Sequence, residues 1–432
     1  MDKVINWNGL PCLQDMTTGK SVIFTNINSE LVICEAENAE ITEESFYREF
    51  DKMGGFECFR NKYKLANDFT IVLALTERCN AACKYCFLDA VHQGADMSYE
   101  LIEKSIDFAI KLSGGRNLNI AAFGGEPSVK PDLVKHMVMY SKKKFVDLGI
   151  SDKKLKFSIT TNGYFNDSFC DFLIDNNFKI SLSMDGIPLI QQEQRLCNVS
   201  ISQLERNLSK LANAKNCVLK VRATVTEYSV PYMLDSVKYW QTLGIKRIHF
   251  EPVTPGGRAS NNNPFTNQPS AITFAHNLIE CIKYGEKNGI DIICFPYMNI
   301  NNAPKAFCDG SIRNRLVVGA RGILSTCVEV QDKSHPLYEY LGIGSYDNVN
   351  KSFSIDLNMR RICRDCAEYD KNEECSTCPF NYFCAGGCPT RNYRGTMNSD
   401  NISEFRCQIM KHIMPFVLRQ FYNKTFLEDT TP

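Results

Sequence analysis

The stretch FTIVLALTERCNAACKYCF, residues 69–87, decides the fold of this 432-residue chain. Its first part, FTIVLAL (69–75), is an apolar run rich in residues that favour β-strands, and it predicts a strand. The second part places Cys79, Cys83 and Cys86 in the loop that follows, spaced by three residues and then two. Three thiolates in one loop suit an iron–sulfur cluster or a zinc ion. The stretch therefore predicts a metal site at the end of a strand.

The same strand-then-helix pattern continues along the chain. Further strand-like runs occupy residues 118–123, 155–160, 179–183, 219–225 and 248–253. Helical periodicity lies between them: Leu204, Leu208 and Leu211 share one face, and another helix is predicted to begin at Pro131. Six such units predict an α/β fold with a parallel sheet wrapped by helices, either an open barrel or a doubly wound sheet. In both folds, ligands bind at the C-terminal ends of the strands.

The flanking regions have different patterns. Residues 1–66 predict a small N-terminal α+β extension, with two strands around the turn at 26–29 and a helix over 41–55. Residues 67–300 form the predicted barrel. From residue 301 the alternation fades into an irregular, cysteine- and turn-rich domain to residue 413, in which bound metal would substitute for a large core. Residues 414–432 are predicted as a tail.

Composition excludes several classes of protein. The 49 basic residues balance the 49 acidic ones, so no basic field exists to bind nucleic acid. No apolar run approaches the roughly 20 residues that a membrane crossing needs. The N-terminus MDKVINWNGL lacks the pattern of a signal peptide. We therefore expect a cytoplasmic protein with no nucleic-acid or membrane partner.

The 20 cysteines are the unusual feature. Nine lie between Cys308 and Cys407, and three lie in the loop Cys79–Cys86. In a long chain without an export signal, clustered cysteines are typical of metal binding or redox chemistry. The other eight are scattered and are predicted to be small buried side chains.

The three-cysteine loop, with Tyr85 before its last cysteine, closely resembles the signature of the radical S-adenosylmethionine (SAM) superfamily. Four further segments match, in order, at the ends of the second, third, fourth and sixth predicted strands: Gly124-Gly125-Glu126-Pro127, Thr160-Thr161-Asn162-Gly163, Ser183-Met184-Asp185-Gly186 and Glu251-Pro252-Val253. The resemblance covers residues 67–260 and implies a partial (β/α)6 barrel. It also implies a [4Fe–4S] cluster whose fourth iron binds SAM, and reductive cleavage of SAM to a 5′-deoxyadenosyl radical.

The resemblance also implies which residues contact SAM. The glycine-rich segment would hold its amino group, Ser183 and Arg195 its ribose and carboxylate, and Val253 would pack near its adenine. The full set of implied cofactor-binding residues is Tyr85, Gly124, Gly125, Glu126, Asn162, Ser183, Arg195 and Val253.

The C-terminal cysteines resemble the SPASM domain, which binds two auxiliary [4Fe–4S] clusters and brings the total to three. By this resemblance Cys375, Cys378, Cys384 and Cys407 hold one auxiliary cluster, and Cys308, Cys327 and Cys388 hold the other. Residues 310–314 lack a further cysteine that some members have, so this second set either leaves an open iron or is completed by Cys363 or Cys366.

SPASM-bearing enzymes mostly modify peptides, which implies a precursor-peptide substrate and flavodoxin or ferredoxin as electron donor. We expect a peptide maturase that forms a thioether crosslink, with residues 1–66 as a leader-binding unit or a simple cap on the barrel. One alternative is an anaerobic sulfatase maturase making formylglycine. Gly322 and Cys327 are separated by four residues, and in that group an aspartate directly follows the cysteine of this GX4C pattern. This chain has Val328 there and then Glu329, a candidate proton acceptor.

Two hypotheses without radical chemistry also remain. The first is a non-enzymatic electron carrier built from the clusters alone. The second is zinc, bound by the first loop with His92 as fourth ligand, or by the pairs Cys363/Cys366 and Cys375/Cys378.

Overall fold

A computed structural model of the chain describes most of the barrel and parts of both flanks. The backbone is described for residues 2–7, 10–15, 21–27, 30–36, 68–90, 93–259, 263–294, 315–359, 386–396 and 403–426, together with residues 375, 378, 380 and 384. Side chains are described from residue 68 onward within these ranges, to residue 394 in the penultimate range and to residue 420 in the last.

The N-terminal region contains a four-stranded antiparallel sheet with strand order β1-β2-β3-β4. Its strands are β1 (Asp2–Trp7), β2 (Leu10–Asp15), β3 (Ser21–Ile27) and β4 (Glu30–Ala36). The predicted hairpin is confirmed as β3 and β4, whereas the sequence does not predict β1 and β2. The helix predicted over 41–55 lies outside the described residues.

A large sheet forms the barrel wall, and the predicted α/β partial barrel is confirmed. Its six predicted strands are β5 (Asp68–Thr76), β7 (Asn117–Gly124), β8 (Leu155–Thr161), β9 (Lys179–Ser183), β11 (Val218–Val225) and β12 (Arg247–Pro252). Neighbouring strands in the order β5-β7-β8-β9-β11-β12 pair in parallel. All their C-terminal ends therefore lie at one edge.

Helices cover the outer face of this wall. They are α1 (Tyr99–Ser113), α2 (Pro131–Asp147), α3 (Asp167–Asp175), α4 (Pro188–Gln194), α5 (Ile201–Asn213), α6 (Met233–Thr242) and α7 (Ala271–Asn288). The predicted helix start at Pro131 is confirmed, and Leu204, Leu208 and Leu211 of α5 are fully buried as their spacing predicts. None of the helices in the described ranges combines the length and apolar character that a membrane crossing requires.

The sheet extends beyond the six predicted strands on both sides. Strand β13 (Asp291–Ile293) pairs in parallel with β12. At the other edge, β14 (Arg315–Val318) pairs in parallel with β5, and β15 (Ile323–Ser325), β16 (Gly342–Asp347) and β17 (Ser352–Ile355) follow antiparallel. The sequence does not predict these strands, because runs of three to six residues carry little periodicity.

Three short or terminal helices complete the described structure: α8 (Tyr338–Leu341), α9 (Pro389–Thr396) and α10 (Glu404–Phe426). Helix α10 packs against α7 and lies near β1 and β2. The tail predicted from residue 414 is wrong as far as Phe426, because buried residues recur at helical spacing across that boundary: Ile409, Met410, Ile413, Met414, Val417 and Leu418.

Two very short strands connect the cysteine loop to a distant part of the barrel. Strand β6 (Ala81–Cys83) pairs antiparallel with β10 (Arg195–Cys197), so that Arg195 lies opposite Cys83. The backbone N–H of Ala81 also donates to the Cys79 sulfur at 3.4 Å. These contacts fix the loop over the C-terminal ends of the strands.

Candidate active site

One cavity at the C-terminal edge of the barrel is lined by all three cysteines of the first loop and by all the residues predicted to contact SAM. The lining includes Cys79, Cys83, Tyr85, Cys86, Gly124, Gly125, Glu126, Asn162, Ser183, Arg195 and Val253. They come from the cysteine loop and from the ends of β7, β8, β9 and β12, together with the start of β10. The structure brings these side chains together, and their individual roles remain predictions.

Two of the three cysteines of this loop, Cys79 and Cys83, are buried, and Cys86 is partly buried. Burial raises the pKa of Cys79 to about 12, with smaller contributions from Glu126 and from the other two cysteines. Burial also raises the pKa of Cys83, against the opposing effect of Arg195. Without a metal, Cys79 and Cys83 are therefore protonated at neutral pH. Iron requires thiolates, so cluster binding here is coupled to release of protons.

Two glycines allow the segment after β7 to approach the cysteine loop. A Cβ atom on Gly124, whose φ is +137°, would lie 2.2 Å from the Thr76 carbonyl oxygen. A Cβ atom on Gly125 would lie 2.3 Å from the Arg78 carbonyl oxygen. No side chain fits at such distances, so both positions require glycine. This explains physically why two glycines stand at the mouth of the cavity.

Glu126 uses its carboxylate to join two strand ends. Its oxygens accept from the Thr161 hydroxyl at 2.7 Å, the Asn162 backbone N–H at 2.6 Å and the Ser128 backbone N–H at 2.9 Å. Burial raises the pKa of this carboxyl, which the hydrogen bonds partly oppose. Glu126 therefore fixes the loop that carries Asn162 relative to the glycine segment.

Arg195 lies between a carboxylate and a cysteine. One guanidinium nitrogen is 3.0 Å from Asp185 Oδ1, and another is 3.8 Å from the Cys83 sulfur. The guanidinium also lies 5.4 Å from the centre of the Tyr85 ring, and the Tyr85 hydroxyl donates to Asp185. Burial alone would lower the pKa of Arg195, but Asp185 holds it well above the usual range.

A second buried charge cluster lies at the end of β12. Glu251 lines the cavity and accepts from Arg406, with Arg391 at 3.7 Å and His249 at 3.5 Å. Burial alone would raise the pKa of Glu251, but Arg406, His249 and Arg391 hold it well below its usual range. Arg391 lines the same cavity from α9. Glu251 thus joins the barrel to two C-terminal helices.

The described C-terminal cysteines of the predicted ligand sets lie in two groups, and their role as ligands remains a prediction. Burial raises the pKa of Cys384 to about 12, and Cys375, Cys378 and Cys407 raise it further. These four side chains are therefore neighbours. Burial likewise raises the pKa of Cys327, and the nearby Glu329 and Cys388 raise it further.

Several predicted ligands fall outside the described residues. These are Cys308, the pair Cys363 and Cys366, and the alternative zinc ligand His92. The predicted ligand sets that include them remain predictions.

Glu329 does not line the cavity that the other predicted residues share. It faces an adjacent cavity with His335 and Asp332, and the two cavities meet at Phe87, Leu88 and Gly125. Its carboxylate is 2.8 Å from the Arg394 guanidinium, and both side chains are about nine-tenths buried. Its proposed role as proton acceptor remains a prediction.

Sequence reasoning missed four charged residues of the site: Arg222, Glu251 and Arg391, which line the cavity, and Asp185, which lies behind it. Asp185 and Glu251 both belong to segments that match at strand ends, and their position directly after a strand is the signal that could have identified them. Arg391 carries no such signal, because only the packing of α9 against the barrel brings it to the cavity.

The residues present fit a cluster and SAM. Three thiols border one cavity, two glycines open its mouth, and cationic and polar side chains line its wall. Among the described residues, no group of three or more His, Cys, Asp or Glu side chains is arranged to hold a single metal ion. A cubane cluster makes a different demand, because each thiolate binds a different iron.

Comparisons with known proteins agree with this geometry. Residues 73–256 match the family model described as the Radical SAM superfamily. A serine-type anaerobic sulfatase-maturating enzyme of Bacteroides thetaiotaomicron is 20% identical over 386 residues, covering 82% of this chain and 91% of that enzyme. An uncharacterised protein of Methanocaldococcus jannaschii is 25% identical over 187 residues, covering 43% of this chain and 63% of that protein.

Two solved structures show the same fold at low sequence identity. The structure of anSMEcpe with bound AdoMet has a TM-score of 0.67 and 18% identity, covering 82% of this chain and 98% of that one. The structure of Streptococcus suis SuiB bound to precursor peptide SuiA has a TM-score of 0.55 and 14% identity, covering 94% of this chain and 100% of that one.

Proposed function

Because the chain is a radical SAM enzyme, we propose that it is a maturase that joins a cysteine sulfur to a carbon of a ribosomally made peptide through a thioether bond. When bound, a [4Fe–4S] cluster would supply one electron for SAM cleavage, giving methionine and a 5′-deoxyadenosyl radical that would take one hydrogen atom from a substrate carbon. Formation of the C–S bond would release the thiol proton, and the one remaining electron would pass to an auxiliary cluster. The protein supplies the binding sites, the orientation and a cavity shielded from water.

One observation carries this proposal: the cavity of the three-cysteine loop is also lined by the element that follows Cys388. Arg391, three residues after Cys388, reaches that cavity from α9. Cys388 is electrostatically coupled to Cys327, its predicted partner in an auxiliary cluster. A substrate cysteine held at that cluster would therefore lie close to the place where the radical forms.

The predicted ligand set of this cluster supports thioether formation. It contains Cys308, Cys327 and Cys388, and residues 310–314 offer no fourth cysteine. If Cys363 and Cys366 do not complete the set, one iron is open to a substrate thiol. Metal coordination deprotonates a thiol and holds it in place. We propose three [4Fe–4S] clusters in total, with flavodoxin or ferredoxin as electron donor.

The N-terminal sheet favours a peptide substrate. Strands β1 and β4 are the outer strands of the sheet, and within the described residues neither has a second neighbour. A peptide binds such an edge by adding a strand. The peptide-bound SuiB structure covers 94% of this chain, against 82% for anSMEcpe. We therefore propose that residues 1–66 bind the leader of a precursor peptide.

A second candidate is sulfatase maturation, in which a cysteine or serine becomes formylglycine. It is favoured by the higher TM-score of anSMEcpe, 0.67 against 0.55 for SuiB. In that reaction Glu329 would be the proton acceptor, although its pairing with Arg394 occupies part of its carboxylate.

Product analysis separates the two reactions. Reconstituted, oxygen-protected enzyme is incubated with SAM, dithionite and a cysteine-bearing peptide encoded by a neighbouring reading frame. Thioether formation makes the peptide lighter by about 2 Da and removes one thiol from alkylation by iodoacetamide. A peptide that loses its cysteine sulfur, or that reacts with a hydrazide while keeping its thiol, indicates formylglycine and refutes the thioether.

A further inference from the structure

Four hydrogen-bond donors converge on the side chain of Asp185, which is 0% exposed. The Tyr85 hydroxyl donates to one oxygen, as does Gln194 Nε2 at 3.0 Å. The other oxygen accepts from Arg195 Nη2 and from the Thr224 backbone N–H, both at 3.0 Å. A carboxylate has about four acceptor positions, so these donors fill its capacity.

The four donors come from three separate parts of the chain, because Gln194 and Arg195 are adjacent. Tyr85 belongs to the cysteine loop, Gln194 ends α4, Arg195 begins β10 and Thr224 lies in β11. Asp185 follows β9 and does not line the cavity, whereas Tyr85, Arg195 and Thr224 do. Asp185 therefore fixes three cavity-lining residues from behind without facing the ligand.

The geometry of Arg195 follows from this anchor. A guanidinium presents several donors in a rigid plane, so fixing one edge directs the others. With Nη2 on Asp185, Nη1 is 3.8 Å from the Cys83 sulfur. The Tyr85 ring below the guanidinium restricts its tilt, because its hydroxyl is held by the same carboxylate.

We propose that Asp185 is a positioning residue that aligns Arg195, and through it SAM, with the three-cysteine cluster. This inference rests on the proposed role of Arg195 as a contact of SAM. The affinity for SAM would then depend on a buried carboxylate that SAM does not contact.

The test variant is Asp185→Asn, which keeps the size of the side chain but removes its charge and one acceptor. Outer partners of ligand-binding groups commonly account for about 10- to 100-fold in affinity or activity. We expect the dissociation constant of SAM to rise by about that factor while iron content stays at the wild-type level. The matched control is Asp68→Asn, at the opposite end of β5, where Asp68 accepts from Lys156 at 2.8 Å and Asn117 at 2.7 Å. It should leave SAM affinity unchanged.

A double-mutant cycle tests whether Asp185 acts through Arg195. The SAM affinity of Arg195→Gln is compared with that of the double variant Asp185→Asn/Arg195→Gln. Once Arg195 is replaced, adding Asp185→Asn should change SAM affinity by less than about twofold. A further large loss in the double variant overturns the proposal. The double variant also serves if Asp185→Asn fails to fold, because it leaves no unpaired buried guanidinium.

Binding is measured on the reduced holoenzyme by titrating SAM and following the change in the electron paramagnetic resonance spectrum of the cluster. Equal SAM affinity in wild type and Asp185→Asn refutes the positioning role and leaves the maturase proposal untouched. A wild-type spectrum that SAM does not alter refutes both. Absence of a thioether product with normal SAM binding refutes only the maturase reaction.

Discussion

Replacing Glu251 by glutamine should destabilise the protein strongly, because this carboxylate is the counter-charge of a buried cationic cluster. Arg406 donates to Glu251, and Arg391 lies 3.7 Å away. Glu251, Arg406 and Arg391 are all at least four-fifths buried. Glutamine keeps the shape of the side chain but removes the negative charge that Arg406 and Arg391 meet at the end of β12.

The expected loss is about 3–5 kcal/mol, the usual cost of removing one partner from a buried ion pair. The free energy of unfolding of most proteins is only about 5–15 kcal/mol, so this loss is a large fraction of the total. An exposed pair provides the comparison. Lys283 and Glu280 are 2.9 Å apart, but their side chains are 49% and 58% exposed. Glu280→Gln should therefore cost less than about 1 kcal/mol.

Urea unfolding is the appropriate assay, since guanidinium chloride would screen the ion pairs. Trp240 reports on this region, because it is fully buried in α6 with its ring 5.9 Å from that of Phe250, the residue before Glu251. With a urea dependence of about 3 kcal/mol per molar, the midpoint of Glu251→Gln should fall by about 1 M or more.

The companion variant Glu251→Gln/Arg406→Gln should recover part of the loss, because it removes both charges of the closest pair. The reasoning is refuted if Glu251→Gln unfolds at the same urea concentration as Glu280→Gln. Such a result would mean that the guanidinium groups do not depend on this carboxylate.

Three further predictions follow from the same structure. Because the pKa of Glu251 is lowered in the folded protein, its stabilising effect is complete above its ordinary pKa of 4.5 and is lost as pH falls through the lower folded-state pKa. In acid titrations below about pH 4.5, Glu251→Gln should therefore lose less stability than the wild type. Gly125→Ala should cost about 3 kcal/mol or more in urea unfolding, because its Cβ would collide with the Arg78 carbonyl. Gly149→Ala, with φ +64° but open space around it, should cost only about 1–2 kcal/mol, so an equal or larger loss there contradicts the steric argument. Cys79→Ala should lose the iron of one cluster and all SAM cleavage. Cys281→Ala, a substitution of a buried residue of α7, should keep both. Normal SAM cleavage by Cys79→Ala would disprove the first cluster site.

The barrel strands were predictable because each carries its own local signal. An apolar run of five to nine residues followed by a polar loop predicts a strand and its end, and β9 begins and ends at the residues that the sequence indicates. The cysteine loop is equally local, since its three cysteines lie within eight residues. Once parallel strands are predicted, their shared edge places the strand-end segments together.

The sequence by itself therefore determined the α/β barrel and the cysteine loop at the ends of its strands. Only the tertiary structure decided which distant residues complete the site. The pairing of Arg195 with Cys83 and the contact of Arg406 with Glu251 join residues 112 and 155 positions apart. Periodicity describes which face of a single element is apolar, but not which buried carboxylate a given arginine meets. That choice depends on how the elements pack, because a buried charge is stable only where packing brings an opposite charge to it.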